Sequence, residues 1–166
     1  MIKVKHNAGF FSCCTFKLHE IVKYINLNKK FPECVDSSEC FTLYKNNTNE
    51  DVTFDYFENY NNIKNIDVIY PIICPTTVWF YDIQFSNYLD LDYNSFNPVI
   101  KKYFSPSSKI NIIVEDLKNK YNIDYDNTVA VYYRGTDKYT ETQLGTFDEY
   151  YEQIMKINNN ITILQY

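Results

Sequence analysis

The sequence predicts an α/β fold built on parallel strands. Two observations carry this expectation: an apolar segment, a helix and a second apolar segment follow one another between residues 2 and 36, and the same order recurs between residues 128 and 164. A strand–helix–strand order of this kind implies parallel strands joined by a right-handed crossover. Composition supplies a third observation, since 45% of the residues are hydrophobic and 22% charged, which is material for a packed core and unlike a disordered chain.

Taken in order, Ile2 to Lys5 reads as a short strand, followed by the loop His6-Asn7-Ala8-Gly9-Phe10-Phe11-Ser12 and a helix from about Cys13 to Asn28. Phe16, Leu18, Ile21, Val22 and Ile25 give that helix an apolar face at helical spacing. Pro32 to Asp36 reads as a second strand ending in the polar turn Asp36-Ser37-Ser38. An Asn-rich loop then leads to Val52–Phe57, whose alternation fits strand or helix, and Ile66 to Ile73 reads as a strand. Trp79 to Leu91 is aromatic and resists assignment. Asn94 or Ser95 can cap a helix running to Phe104 with Pro98 in its first turn. Ser105-Pro106-Ser107-Ser108 breaks the chain, and Ser107 or Ser108 can cap a helix through Tyr121 that buries Ile110, Ile113, Val114 and Leu117. Thr128 to Tyr133 reads as a buried strand, Arg134 to Thr146 as a loop, Phe147 to Ile157 as a helix and Ile161 to Leu164 as a last strand.

At 166 residues the chain suits one ordinary domain and is short for two. The break at Ser105–Ser108 divides it into residues 1–105, one α/β domain, and residues 106–166, the beginning of a second that is expected to be incomplete, because the chain ends at Tyr166 directly after a strand. The net charge of −5 argues against general affinity for nucleic acid or anionic membrane. No apolar run of spanning length and no signal-peptide core is present, so a soluble, cytoplasmic protein is expected. Five cysteines, an odd number without a secretory signal, point to reduced thiols, and no Cys/His array suggests zinc.

The informative stretch is Val129-Ala130-Val131-Tyr132-Tyr133-Arg134-Gly135-Thr136-Asp137-Lys138-Tyr139-Thr140-Glu141. Arg134 is the sole arginine among sixteen Lys and Arg, in a chain whose Asn, Lys, Ile and Tyr richness suggests AT-biased coding that would tend to replace arginine by lysine. It would stand at the carboxyl end of a strand, where open α/β sheets bind ligands, with Gly135 letting the backbone approach a phosphate. A guanidinium offers a bidentate fork to such an anion, and Lys138 can face it too. A sugar-nucleotide diphosphate fits, because glycosyl transfer leaves charge on the departing β-phosphate. From spacing alone, an Arg134–Asp137 ion pair closing a surface loop is the simpler reading.

Tyr132-Tyr133-Arg134-Gly135-Thr136-Asp137-Lys138, followed by Glu141, resembles the His-x-Arg-x-Thr-Asp-Lys motif of the GDP-fucose-dependent fucosyltransferase-like superfamily, in its α-1,6- and protein O-fucosyltransferase-related branch. The opening loop with Gly9, Phe10 and Ser12 is similar to that family's first Gly-rich βα loop. The resemblance extends loosely over most of the chain and is specific from Arg134 to Glu141. It implies two Rossmann-like domains facing a cleft, the GT-B arrangement, with inverting, metal-independent transfer of fucose or a related sugar from a GDP-sugar to a glycan or protein hydroxyl. No cofactor besides the donor is implied. By position, Arg134 would contact the donor β-phosphate and assist the leaving group, while Tyr132, Gly135, Thr136, Asp137, Lys138 and Glu141 would order the donor loop or contact GDP and sugar. The chain departs from the pattern at Tyr132, which stands for the motif histidine, at Gly135, which stands for a second arginine, and around Ser12-Cys13, where the first loop's asparagine is replaced. The family's second domain continues past a strand such as Ile161–Gln165, so the fragment alone is expected to be inactive.

Other groups read more simply as structure. Asp90-Leu91-Asp92 has the form of a metal-binding Asp-x-Asp but precedes a helix start, where carboxylates cap. Cys13-Cys14 lies near a helix N-terminus, yet Cys14 and His19 stand about 140° apart on that helix, which favours a core role. His6 reads as a loop histidine, and Tyr132 and Tyr133 point to opposite faces of one strand. The rival from another class is a non-catalytic α/β binding module with a degenerate cleft.

Overall fold

The computed structural model describes residues 1–47, 51–64, 67–72, 93–126, 128, 143 and 145–157. The chain opens with β1 (Ile2–His6), α1 (Phe10–Asn28) and β2 (Val35–Cys40), and β1 pairs with β2 in parallel. A 3₁₀ turn at Thr42–Tyr44, the one-turn helix α2 (Thr53–Tyr56) and a second 3₁₀ turn at Tyr60–Asn62 follow. The remaining helices are α3 (Tyr93–Phe104), α4 (Ser108–Tyr121) and α5 (Phe147–Met155). Among the described residues the fold is thus mixed α/β with a two-stranded parallel sheet, and no helix is long and apolar enough to cross a membrane. Contacts group the chain into two compact units, Met1–Ile113 and Val114–Tyr166.

In the first unit the expected β-α-β order is present, and α1 buries Cys13, Lys17, Leu18, Ile21, Val22 and Ile25. These positions repeat every three to four residues, the phase of one helix face, and they pack with Val4 of β1 and Val35 and Cys40 of β2. The helix stops at Lys29, which takes a left-handed conformation (φ 54°) and donates its backbone N–H to the Ile25 carbonyl at 2.8 Å.

The second strand is longer than the sequence suggests. Asp36-Ser37-Ser38 reads as a turn, and the Ser38 N–H does donate to the Asp36 carboxylate at 2.9 Å. That local bond produces a bulge rather than an end: Lys3 pairs with Asp36 and Lys5 with Glu39, so β2 advances three residues while β1 advances two. Ser37 is buried and pairing resumes through Cys40.

Two further expectations are corrected. Between residues 67 and 72 there is no strand; the Asn26 side-chain amide meets both backbone groups of Ile72 at 2.9 Å and satisfies them as a neighbouring strand would. The helix expected from Asn94 or Ser95 already includes Tyr93, which puts Pro98 inside it rather than in its first turn. Phe96, Val99, Lys102 and Tyr103 form its buried face. Tyr103 donates its hydroxyl to the Pro32 carbonyl at 3.0 Å and Lys102 Nζ donates to the Tyr60 carbonyl at 2.9 Å, binding α3 to the segments flanking β2. Val52–Phe57 resolves as the helical turn α2. The Ser105–Ser107 break fastens to it, with Glu58 N–H on the Ser105 carbonyl (2.8 Å) and Ser107 N–H on the Tyr56 carbonyl (2.9 Å).

Beyond the break, Ser107 Oγ lies 3.4 Å from the Ile110 N–H, the capping position expected of it. The expected burial of Ile113, Val114 and Leu117 does not occur, since α4 buries none of its residues and these three are exposed. The grouping of contacts divides this helix between Ile113 and Val114. In the second unit α5 begins at a reciprocal cap: Thr146 Oγ1 accepts from the Glu149 N–H at 3.2 Å, and Glu149 accepts from the Thr146 N–H at 2.7 Å. The helix ends at Met155, two residues before the expected end. The expected strands Thr128–Tyr133, apart from Thr128, and Ile161–Leu164, together with the segment Trp79–Leu91, lie outside the described residues.

Lys17 is the anomaly of the core. It is 0% exposed, its ammonium has no hydrogen-bond partner among the described residues, and Nζ stands 5.8 and 5.7 Å from the ring centroids of Phe57 and Phe104. Burial pushes its pKa down to about 8, opposed by Asp51 and by the thiols of Cys14 and Cys40. Below pH 8 both folded and unfolded states hold this proton and the native state bears the full cost of a buried charge. Between about 8 and 10.5 the native state sheds the proton while the unfolded chain keeps it, so this group adds stability as pH rises. The Cys14 and Cys40 thiols, raised to about 12 and about 11, act in the opposite sense above 9.0. Comparison with Lys17→Met isolates the lysine. Urea unfolding is expected to show Lys17→Met more stable than the wild type at pH 7, by up to about 3 kcal/mol, with the gap narrowing between pH 8 and 10. A variant less stable at pH 7 would mean that the ammonium has a partner in solution.

Candidate functional site

Parallel pairing brings the carboxyl ends of β1 and β2 to one edge, where His6 and Cys40 are register partners. The loop after β1 and the turn after β2 therefore meet, at the edge where α/β sheets bind ligands. Phe41 leaves β2 in the left-handed region (φ 59°), a conformation that costs a non-glycine residue about 1 kcal/mol, and turns the chain into Thr42–Tyr44. Thr42 donates its hydroxyl to the Asn7 side chain, and the Phe10 N–H donates to the Tyr44 hydroxyl at 2.9 Å. Cys13 Sγ lies 3.5 Å from the carbonyls of both His6 and Ala8, which holds the loop onto the first turn of α1.

The three residues expected to form the first-loop cleft have different roles. Phe10 is an anchor: its ring packs against Tyr56, Phe41 and Tyr44 with centroids 4.9, 5.2 and 5.5 Å away. Ser12 Oγ lies 2.8 Å from His6 Nε2, and the His6 ring stacks on Phe16 at 3.7 Å. Burial lowers the His6 pKa, which favours the neutral imidazole and allows it to accept from or donate to Ser12. Gly9 is the N-cap of α1 with φ −57°, a backbone any residue adopts, and a methyl group added there would meet nothing within 4 Å. Neither conformation nor packing requires glycine at this position. Gly9 offers no side-chain cap and the first turn holds no acid, so among the described residues the Tyr44 hydroxyl on the Phe10 N–H is the side-chain partner at the positive end of α1.

Sequence reasoning did not single out Tyr44, Asn7 or Thr42, whose partners lie 34 or 35 residues away in the chain. His6 carries a local signal as a histidine at a strand end, whereas Ser12, expected in the loop, lies in the first turn of α1, which begins at Phe10, three residues before the expected start at Cys13. Cys14 is no activated nucleophile, since burial raises its thiol to about 12. Tyr132, Arg134, Gly135, Thr136, Asp137, Lys138 and Glu141, as well as Asp90 and Asp92, lie outside the described residues. Among the described residues no group of three or more His, Cys, Asp or Glu side chains can hold a metal ion.

Compared with known proteins, the chain matches no protein-family model, no curated protein and no solved structure. The residues themselves therefore carry the functional reading.

Gly9→Ala is expected to leave the thermal midpoint within about 2 °C of the wild type, because space and backbone both accommodate the methyl. A drop of 5 °C or more would show that the loop conformation depends on glycine. In an NMR titration His6 should titrate below 6.5; a value above it would place an unrecognised anion beside the ring.

Proposed function

We propose that this protein is a fucosyltransferase-like glycosyltransferase, using a GDP-sugar to glycosylate a hydroxyl of a glycan or protein. In this reading residues 1–105 form a Rossmann-like domain and the donor-binding domain begins at 106. The observation that carries it is the segment Arg134-Gly135-Thr136-Asp137-Lys138 with Glu141, which holds the chain's sole arginine. Support comes from the parallel β1–α1–β2 unit and from a first βα loop leading into a helix whose first turn carries no acid to repel phosphate.

The chemistry follows from the groups. The acceptor oxygen attacks the anomeric carbon as the bond from that carbon to the β-phosphate oxygen breaks, the electron pair leaves with GDP, and the configuration inverts. The acceptor's proton passes to a base. Arg134 neutralises the charge that develops on the departing diphosphate, a role in which loss of one donor commonly costs about 10²- to 10³-fold in rate. Asp137 and Lys138 hold the donor loop, Lys138 as a second cation, and Glu141 beside it is structural rather than the base.

Calorimetric titration with GDP and GDP-fucose tests this reading. The folded chain, verified by circular dichroism, is expected to bind GDP, and Arg134→Ala to weaken binding at least tenfold while keeping the same spectrum. Equal affinity in the two proteins, or no GDP binding by the folded chain and by a C-terminally extended one, would contradict it.

A further inference from the structure

In the first unit a pocket of about 310 Å³ opens beside α1 and α3, lined by Phe11, Cys14, Leu18, Phe57, Ile100 and Phe104 among others. That volume is at the small end of ligand-sized sites, roughly 300–1,000 Å³. No described lining residue is charged: the Thr15 hydroxyl is returned to its own helix on the Phe11 carbonyl at 3.0 Å, and the raised Cys14 pKa keeps that thiol neutral.

Directly behind this apolar lining is Lys17. It lies one turn on from Cys14, and its Nζ is within 6 Å of the centroids of Phe57 and Phe104, both of which line the pocket. The other buried lysine, Lys102, shows what such a group normally finds, since it donates to the carbonyls of Tyr60 and Ile63. Lys17 has three donors and, among the described residues, no hydrogen-bond acceptor. Asp51 opposes this burial through its charge without a hydrogen bond to Nζ, so an acceptor entering from the pocket would relieve the remaining cost of the buried ammonium. Phe104 is the last residue of α3 and only half-buried, so its ring is the part of the lining whose turning aside would give a ligand access to Nζ.

We propose that this pocket binds a small apolar monocarboxylate of the medium-chain class, its tail against Phe11, Leu18 and Ile100 and its carboxylate paired with Lys17. A single cation behind an apolar lining favours a monoanion over a phosphate dianion, whose second charge would remain unpaired away from water. The inference goes beyond the sugar-transfer reading and does not rest on it.

Calorimetry on the full chain at pH 7 with octanoate, 1-octanol and acetate tests the proposal. Octanoate is expected to bind at least tenfold more tightly than 1-octanol, and acetate, which lacks the tail, not measurably. Lys17→Met should abolish the preference for the acid while still binding 1-octanol, which also shows that the pocket persists. Ile100→Trp, which fills the pocket, should abolish both. Equal affinity of acid and alcohol for the wild type, no octanoate binding, or a preference that survives in Lys17→Met would overturn the proposal. Should Lys17→Met not fold, the wild type at pH 10 decides: octanoate affinity falls several-fold as the lysine loses its proton and 1-octanol affinity is unchanged, whereas equal octanoate affinity at pH 7 and 10 contradicts it.

Discussion

The parallel pairing of β1 with β2 is the constraint on which the first unit depends. Parallel strands cannot be joined by a tight turn, so the chain must cross over, and α1 is that crossover with its apolar face pressed on the strands. The same geometry brings the loop after β1 and the turn after β2 to one edge. Phe10 then meets Phe41 and Tyr44 through packing and a backbone hydrogen bond, although these residues are far apart in sequence. The candidate site is therefore a product of strand direction more than of any local motif.

Polar groups inside this core fall into two kinds. Asn26 and Lys102 stand where a neighbouring strand or a helix cap would otherwise satisfy the backbone, and each finds its partners. Among the described residues Lys17 finds no hydrogen-bond partner, and Ser37 Oγ and Thr53 Oγ1 are likewise buried without one. A core built only for stability would place an apolar side chain at position 17, in phase with Cys13 and Ile21. The exception coincides with the apolar pocket beside α1, and this coincidence gives the lysine a function-bearing interpretation.

What the sequence disclosed follows the same division between local and long-range forces. β1 and α1 were legible because their apolar spacing is local, and the Ser107 cap because its bond spans three residues. Lys17 was not, because hydropathy assigns lysine to the surface even when its phase places it inside. Asp36-Ser37-Ser38 reads as a turn that ends the strand, but pairing with β1 carries the strand through it as a bulge to Cys40. The strand expected near Ile72 was displaced by the Asn26 amide, a partner 46 residues away that no periodicity reveals. Similarly, α4 carries a helical apolar pattern without burial, so periodicity established the helix and not its environment. At the site, His6 and Ser12 were visible as residue types, while their 2.8 Å contact required the fold.

The Arg134–Glu141 motif, proposed to receive a phosphate, is a feature of the sequence, while the parallel-strand edge is a feature of the fold. Amide hydrogen exchange with and without saturating GDP tests the central claim most directly, because it locates the ligand on the chain. The account predicts slowed exchange across Arg134–Lys138, where backbone and guanidinium would receive the diphosphate. Saturating GDP that leaves exchange across this segment unchanged, or slows it only elsewhere, would contradict the assignment of a nucleotide-sugar site to these residues.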